Sequence, residues 1–281
     1  MPRFTIITPS FRSSNWLRLC IASVADQTGV DHEQIVQDSC SDDGTGDWLP
    51  GDPRVRAFIE KDRGMYDGIN RGFTRATGDI LAWLNCDEQY LPGALAEVST
   101  FFDAHPDVDV LFANIVIVNG NGEYLYHRKV QTPLTWHTWT CHLSTLSCAT
   151  FFRRRVVSEL GFTFDTKYRD VGDGEWVLRM LRRGVKMASL PLFTSVFALT
   201  GTNMSVGPNA RREALELRRS APVWVRGMRP AVIAQHRLRR WLGGMYRQDP
   251  FAYSIYTMAH PDKRQTFEVS QPVYLPQTPN P

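Results

Sequence analysis

The run Ile80-Leu81-Ala82-Trp83-Leu84 is apolar without a break and ends on Asn85-Cys86-Asp87-Glu88. A strand with no polar face must be covered on both sides, as strands in the middle of a parallel sheet are. The polar residues after it then emerge at the carboxyl end of that sheet, where open α/β sheets bind their ligands. Its neighbours fit such a sheet. Strand-like runs at Phe4–Thr8, Gln34–Asp38, Val55–Glu60 and Val108–Phe112 alternate with helical spacing at Trp16–Ala25, Met65–Thr77 and Pro92–Ala104. Ser13, Ser14 or Asn15 can cap the first helix, Gly68 and Gly72 interrupt the second, and Pro92 opens the third. Repeated strand–helix units predict an α/β fold, a mostly parallel sheet flanked by helices.

The pattern loosens after residue 114. Ile115–Val118 and Tyr124–Arg128 flank Asn119-Gly120-Asn121-Gly122, a hairpin signal. Thr132–Ser147 is irregular and rich in Trp, His and Thr. Helical spacing returns at Gly174–Arg183 and stops at Gly184, and Val185–Leu190 and Thr194–Leu199 read as strands. Beyond Val206 a basic helical stretch is expected, then a Pro-rich tail from Gln271.

The formal net charge of +3 is unevenly placed: residues 206–281 carry 12 Lys/Arg against 5 Asp/Glu. There Ala234, Leu238, Trp241, Leu242 and Met245 share one helical face, and Arg237, Arg239, Arg240 and Arg247 fall off it. Such a helix either docks its apolar stripe on the sheet domain or lies on an anionic membrane surface. No nucleic-acid reader motif accompanies the arginines, so no nucleic-acid partner is expected. No run approaches the ~18 apolar residues that would span a bilayer. No apolar leader precedes Phe4, so secretion is not expected. Cys20, Cys40, Cys86, Cys141 and Cys148 form no C-x-x-C pair, which suits a reduced compartment and argues against a cysteine zinc site. His127, His137 and His142 lack metal-ligand spacing. The expected location is the cytoplasm, on the inner face of the cell membrane if the basic helix binds lipid.

Asp38 follows the second strand, and Asp87-Glu88 follow the fourth. Carboxylates gathered at buried strand ends repel one another unless a cation or hydrogen-bond donors neutralise them. Mg²⁺ or Mn²⁺, completed by substrate phosphates, suits such oxygen ligands.

Four segments occur in order: Thr5-Ile6-Ile7-Thr8-Pro9-Ser10-Phe11; Ile35-Val36-Gln37-Asp38-Ser39-Cys40-Ser41-Asp42-Asp43-Gly44-Thr45; Glu60-Lys61-Asp62-Arg63-Gly64-Met65-Tyr66-Asp67-Gly68-Ile69-Asn70-Arg71-Gly72; and Leu84-Asn85-Cys86-Asp87-Glu88. The series resembles glycosyltransferase family 2 proteins of GT-A fold, especially bacterial enzymes of surface-polysaccharide assembly, from about Arg3 to Ser205. The resemblance implies a nucleotide-sugar donor, a divalent cation and inverting transfer to a hydroxyl of a glycan or lipid-linked acceptor. It assigns Thr8, Pro9 and Ser10 to the donor loop, Asp38 to the nucleobase, and Asp67 and Asn70 to the diphosphate and sugar. Asp87 matches the metal-binding last acid of the D-x-D motif. Asn85 replaces the first acid, bringing an oxygen without charge, with Cys86 between them and Glu88 as a second candidate ligand.

Farther on, Cys148-Ala149-Thr150-Phe151-Phe152-Arg153-Arg154 and Gly161-Phe162-Thr163-Phe164-Asp165 look like the family's acceptor-side segment. Asp173-Gly174-Glu175-Trp176-Val177-Leu178-Arg179 resembles its D-x-E-L-x-L-R helix start, whose leading acid is the catalytic base. Asp173 is therefore the expected base, with Glu175 as the alternative. A base at a helix N-terminus is expected to be ionised at neutral pH. Asp173 also reads as a plain N-cap by spacing alone. Lys61 or Arg71 can offset leaving-group charge, and Trp136 and Trp139 either stack on an acceptor sugar or pack a loop.

The implied organisation is a GT-A domain over 1–205, with a nucleotide-sugar half (1–114) and an acceptor and catalytic-base half (115–205), followed by a basic helical extension over 206–281. The preferred donor is a UDP-sugar, since Asp38 suits an imide N–H. One rival is a sugar-phosphate nucleotidyltransferase, which would carry a Gly-rich, Arg-containing loop where Thr8-Pro9-Ser10-Phe11 stands. The other is a non-catalytic nucleotide-sugar-binding module, which would have no use for Asp173.

Overall fold

The computed structural model describes residues 2–200 and 207–273. The first strand, β1 (Phe4–Ser10), is buried along its whole length. It leads into α1 (Ser14–Ala25), β2 (His32–Asp38), α2 (Thr45–Trp48), β3 (Arg56–Ile59), α3 (Met65–Arg75) and β4 (Ile80–Trp83). The strands lie in the order β3-β2-β1-β4, all parallel, as the alternation predicts. Ser10 pairs with Asp38 and Ile7 with Trp83. The ends of β1, β2 and β3 are therefore level, β4 stops three residues earlier opposite Ile7, and the segments after these strands open onto one rim. Helix α3 runs unbroken through both of its glycines. Gly72 is where α3 touches β1: a Cβ there would overlap the Ile7 side chain.

The second half of the sheet is mixed. It contains β5 (Glu88–Tyr90), α4 (Ala94–Ala104), β6 (Val110–Asn119), β7 (Tyr124–Arg128), α5 (Thr135–Thr140), β8 (Thr150–Arg153), α6 (Arg155–Ser158), α7 (Gly172–Arg182) and β9 (Met187–Leu199). Strand β8 is antiparallel to both β4 and β6, and β6 is parallel to β9. The expected hairpin forms, with Ile115 opposite Arg128. The run read as Val108–Phe112 continues through it as one ten-residue strand, β6. Likewise the two runs after Gly184 are one strand, β9, whose register shifts beside Asn114.

An aromatic cluster joins the halves. The Trp83 ring meets Trp176 edge-on at 5.6 Å and Phe164 at 5.2 Å, and Phe164 lies 4.8 Å from Tyr66. Such pairs add to burial by fixing mutual geometry. Here the end of β4 is set against α7, the helix that carries Asp173.

After residue 206 come α8 (Pro208–Arg219), α9 (Val223–Gly227), α10 (Arg229–Leu242), β10 (Phe251–Thr257) and β11 (His260–Val269). The helical expectation for this stretch is corrected beyond Leu242. Residues 251–269 form an antiparallel hairpin, with Phe251 opposite Val269. Its signal is the alternation Tyr253, Ile255, Thr257, all turned inward. The hairpin is tied to β5 by reciprocal bonds between the Gln89 amide and the Tyr256 backbone (2.8 and 2.9 Å). Val206 and the Pro-rich tail after residue 273 lie outside the described residues. Among the described residues no helix is long and apolar enough to cross a membrane.

Helix α10 docks through its polar side. Arg240 donates to the Lys129 carbonyl (3.1 Å) and Arg239 to the Thr132 carbonyl (3.2 Å). The His236 ring stacks on His137 at 3.8 Å, and His142 lies 4.7 Å from His137. Burial holds all three imidazoles neutral, with His137 lowered to about 4 and His142 and His236 to about 3. Imidazoles that must be neutral in the folded state stabilise it above their unfolded pKa, and that contribution is lost as pH falls. The thermal midpoint is therefore expected to drop steadily from pH 6.5 toward about pH 4. Replacing His137 and His142 by Gln should flatten that slope; an unchanged slope in the double variant would contradict this origin.

Candidate active site

The level strand ends, the N-terminus of α3 and the start of α7 enclose a cleft of about 980 Å³. Pro9 to Ser13 form one wall and Lys61 to Tyr66 another. Asn85, Cys86 and Asp87 also line it, with Ser147, Arg169, Asp170 and Asp173. Six expected site residues thus meet in one space: Pro9, Ser10, Asn85, Cys86, Asp87 and Asp173.

Four others stand behind the walls. The Thr8 hydroxyl accepts from the Gln34 amide (2.9 Å). Asp38 is fully buried, and its two oxygens accept from the Ser41 backbone N–H (2.8 Å) and hydroxyl (2.7 Å). Asp67 accepts from the Arg63 backbone (3.1 Å) and from Arg71 (2.9 Å). Asn70 exchanges two 2.9 Å bonds with the Phe164 backbone, pinning the segment that leads to α7.

The two acids at the start of α7 part company. Asp173 faces the cleft, whereas Glu175 turns to Arg179 (2.7 Å). Gly172 makes room for this turn: a Cβ there would come within 2.6 Å of the Tyr66 ring. The Tyr66 hydroxyl accepts from the Asp173 backbone N–H (3.2 Å). The helix end does not dominate the charge of Asp173. Burial pushes its pKa up to about 6, although the Gly174 N–H accepted at 2.8 Å works the other way. An acid so placed is ionised at pH 7 and still basic enough to take a proton.

Asp87 and Glu88 are both raised above the usual carboxylate range, chiefly by burial. Glu88 is committed inward, accepting from the Asn85 backbone (2.7 Å) and the Ser147 hydroxyl (2.9 Å). Asn85 Oδ1 is buried without a hydrogen-bond donor. A carboxylate and an orphaned amide oxygen, two residues apart at a cleft, fit a hard divalent cation that takes its other ligands from phosphates and water. Among the described residues no cluster of three His, Cys, Asp or Glu could hold an ion unaided.

Of the expected cations, Lys61 lines the cleft, while Arg71 is spent on Glu60 and Asp67. Arg12, Arg63 and Arg169 line it too. Arg12 holds a left-handed backbone (φ 51°) and a two-bond pair with Asp42 (2.6 and 2.7 Å). Such strain is held in place by its surroundings and clusters at functional sites. Trp136 and Trp139 lie elsewhere, the first against Trp224 and the second bonded to Ser220 (2.8 Å).

One further residue bears on the site from a distance. Glu213 of α8 is 2% exposed and accepts from the backbone N–H groups of Arg169 (2.9 Å), Asp170 (3.0 Å) and Val171 (3.2 Å). Burial acts to raise its pKa, but these bonds outweigh it and hold the carboxylate below its ordinary range. The extension thus clamps the turn that presents Arg169 and Asp173.

The family model for "Glycosyl transferase family 2" matches residues 5–161. The chain belongs to glycosyltransferase family 2. The family 2 chain is 29% identical over 193 residues to a PGL/p-HBAD biosynthesis glycosyltransferase of Mycobacterium bovis (strain BCG / Pasteur 1173P2), covering 63% of this chain and 69% of that protein. It is 32% identical over 94 residues to the putative teichuronic acid biosynthesis glycosyltransferase TuaG of Bacillus subtilis, 32% of this chain and 37% of that protein. Among solved structures, S. aureus TarS (residues 1–349) in complex with UDP-GlcNAc superposes with a TM-score of 0.63 at 19% identity, covering 77% of this chain and 65% of that one. The mannosyltransferase PcManGT from Pyrobaculum calidifontis, in complex with GDP-Man and Mn²⁺, gives 0.55 at 18%, covering 84% and 75%. These two likenesses are of fold. The fold is GT-A and the chain is a glycosyltransferase, which removes the nucleotidyltransferase and the binding module as rivals.

Proposed function

We propose that this enzyme moves a sugar from a nucleoside diphosphate donor, preferably a UDP-sugar, to a hydroxyl of a glycan or lipid-linked acceptor in bacterial surface-glycan assembly, inverting the anomeric centre. The observation that carries this reading is the meeting of Asp87 and Asp173 in one cleft with Lys61, Arg12, Arg63 and Arg169. Asp173 accepts the acceptor's hydroxyl proton as the oxygen bonds to the anomeric carbon. The bond from that carbon to the diphosphate breaks, and its electron pair stays on the phosphate oxygen. Attack opposite the leaving group inverts the centre.

Asp87 and Asn85 Oδ1 would hold a Mg²⁺ or Mn²⁺ ion, which supplies charge neutralisation at the departing diphosphate. Arg169 and Lys61 add positive charge in the same cleft. Pro9 and Ser10 form the donor wall, with Thr8 anchored behind it. Direct contact of a base with Asp38 needs the Ser41 turn to move, so we assign Asp38 the holding of that turn and Ser39 the cleft-facing position. Asp67 and Asn70 fix Arg63 and the Phe164 segment, shaping the sugar end. In the proposed organisation, 1–114 grips the donor, 115–205 presents the base, and the extension from 206 braces it.

The test is nucleotide release from a panel of nucleotide sugars with Mn²⁺, with and without chelator. Asp87→Ala is expected to lower turnover about 100-fold and to remove the donor-induced rise in thermal midpoint. A variant that keeps both would remove Asp87 from the donor site.

A further inference from the structure

The extension turns its apolar side to solvent. On α10, Ala231, Ala234, Leu238, Trp241 and Leu242 point outward, with Trp241 67% and Leu242 69% exposed, while Val232, His236, Arg239 and Arg240 meet the body. Helix α9 adds exposed Val223 and Trp224, Met228 follows between α9 and α10, and the Trp136 ring braces Trp224 edge-on at 5.5 Å. A surface helix ordinarily buries its apolar stripe. Large apolar side chains gathered outward mark a contact surface.

The exposed charge around them is mostly positive. Between residues 207 and 249, Arg211, Arg212, Arg219, Arg226, Arg237 and Arg247 are exposed, against two exposed acids, Glu216 and Asp249, which pair with Arg212 (3.3 Å) and Arg247 (2.9 Å).

We propose that the α9–α10 face is a membrane-contacting surface: Trp224, Leu238, Trp241 and Leu242 enter the headgroup–acyl boundary of an anionic bilayer, and the arginines meet lipid phosphates. Insertion of apolar side chains and attraction by basic ones are the two signals that together give stable peripheral binding. A second copy fits worse, because a two-fold contact sets this patch against itself and opposes arginine to arginine. A nucleic acid would satisfy the arginines and leave Leu238, Leu242 and Val223 in water. The inference does not rest on the proposed reaction, because it concerns a surface outside the cleft.

The experiment is co-sedimentation of the full chain with vesicles of phosphatidylcholine alone or with roughly 30% phosphatidylglycerol, in low and high salt. Binding to anionic vesicles is expected to exceed binding to neutral ones about tenfold and to weaken in salt. Leu238→Glu with Trp241→Glu should reduce it by a further factor of about ten, leaving far-UV circular dichroism and thermal midpoint unchanged. Should that variant misfold, quenching of wild-type tryptophan fluorescence by brominated lipid decides: quenching supports insertion, and its absence overturns it. No binding of the full chain to anionic vesicles would overturn the proposal. So would binding indifferent to a folded double variant, or a dimer in light scattering that the double variant dissolves without any vesicle binding.

Discussion

Asp173→Asn is expected to lower turnover by about 10²–10⁴-fold while leaving donor affinity nearly intact. The same substitution should stabilise the fold. The wild-type carboxyl has a folded pKa raised to about 6, so its contribution to stability is present in acid and is lost as pH rises through that value. Above pH 7 the ionised group costs up to about 3 kcal/mol, which the uncharged amide does not. Loss of activity with a higher urea midpoint at pH 8, and little difference at pH 4, separates a base from a structural cap. A plain N-cap role would instead leave stability and turnover nearly unchanged, because asparagine caps a helix as well as aspartate does. For the wild type, kcat/KM should fall about tenfold per pH unit below pH 6 and level off above it.

Glu213→Ala carries the second large effect. It removes the acceptor for three backbone N–H groups next to the base, and buried donors left unpaired cost on the order of 3 kcal/mol. Urea unfolding should show that loss. Turnover should also fall, more in kcat than in KM for the donor, because the Arg169–Asp173 turn is loosened rather than the donor wall. Glu213→Gln keeps an acceptor oxygen and should recover part of both. Wild-type turnover in a stable Glu213→Ala variant would show that the extension does not brace the site.

These two residues mark how far the sequence could be read. The unbroken apolar run through Leu84 places Asp87 at the carboxyl end of the sheet on physical grounds alone, because a two-sided burial pattern implies a central strand. Asp173 is different: its spacing alone reads as a helix cap, and only the resemblance of 173–179 to the family's helix start, in order after the four segments, favoured a catalytic role. Glu213 left no local mark, since its three bonds cross about 40 residues of sequence. Arg169 was hidden for a similar reason, because the turn that aims it is set by that clamp. In α10 the 3.6-residue period showed an apolar stripe but not which side docks. Arginines normally face water, yet backbone carbonyls at Lys129 and Thr132 receive Arg240 and Arg239 and reverse the arrangement. The 251–269 hairpin was readable from its period-two pattern, which the basic helices before it obscured.

The cleft's central claim is geometric, and a crystal structure with an unreactive nucleotide-sugar analogue and Mn²⁺ examines it most directly. The diphosphate should lie beside Asn85 and Asp87, with the anomeric carbon turned toward Asp173 and its open face toward the acceptor side. A donor seated away from Asp87, or one whose leaving group rather than its open face meets Asp173, would contradict the account.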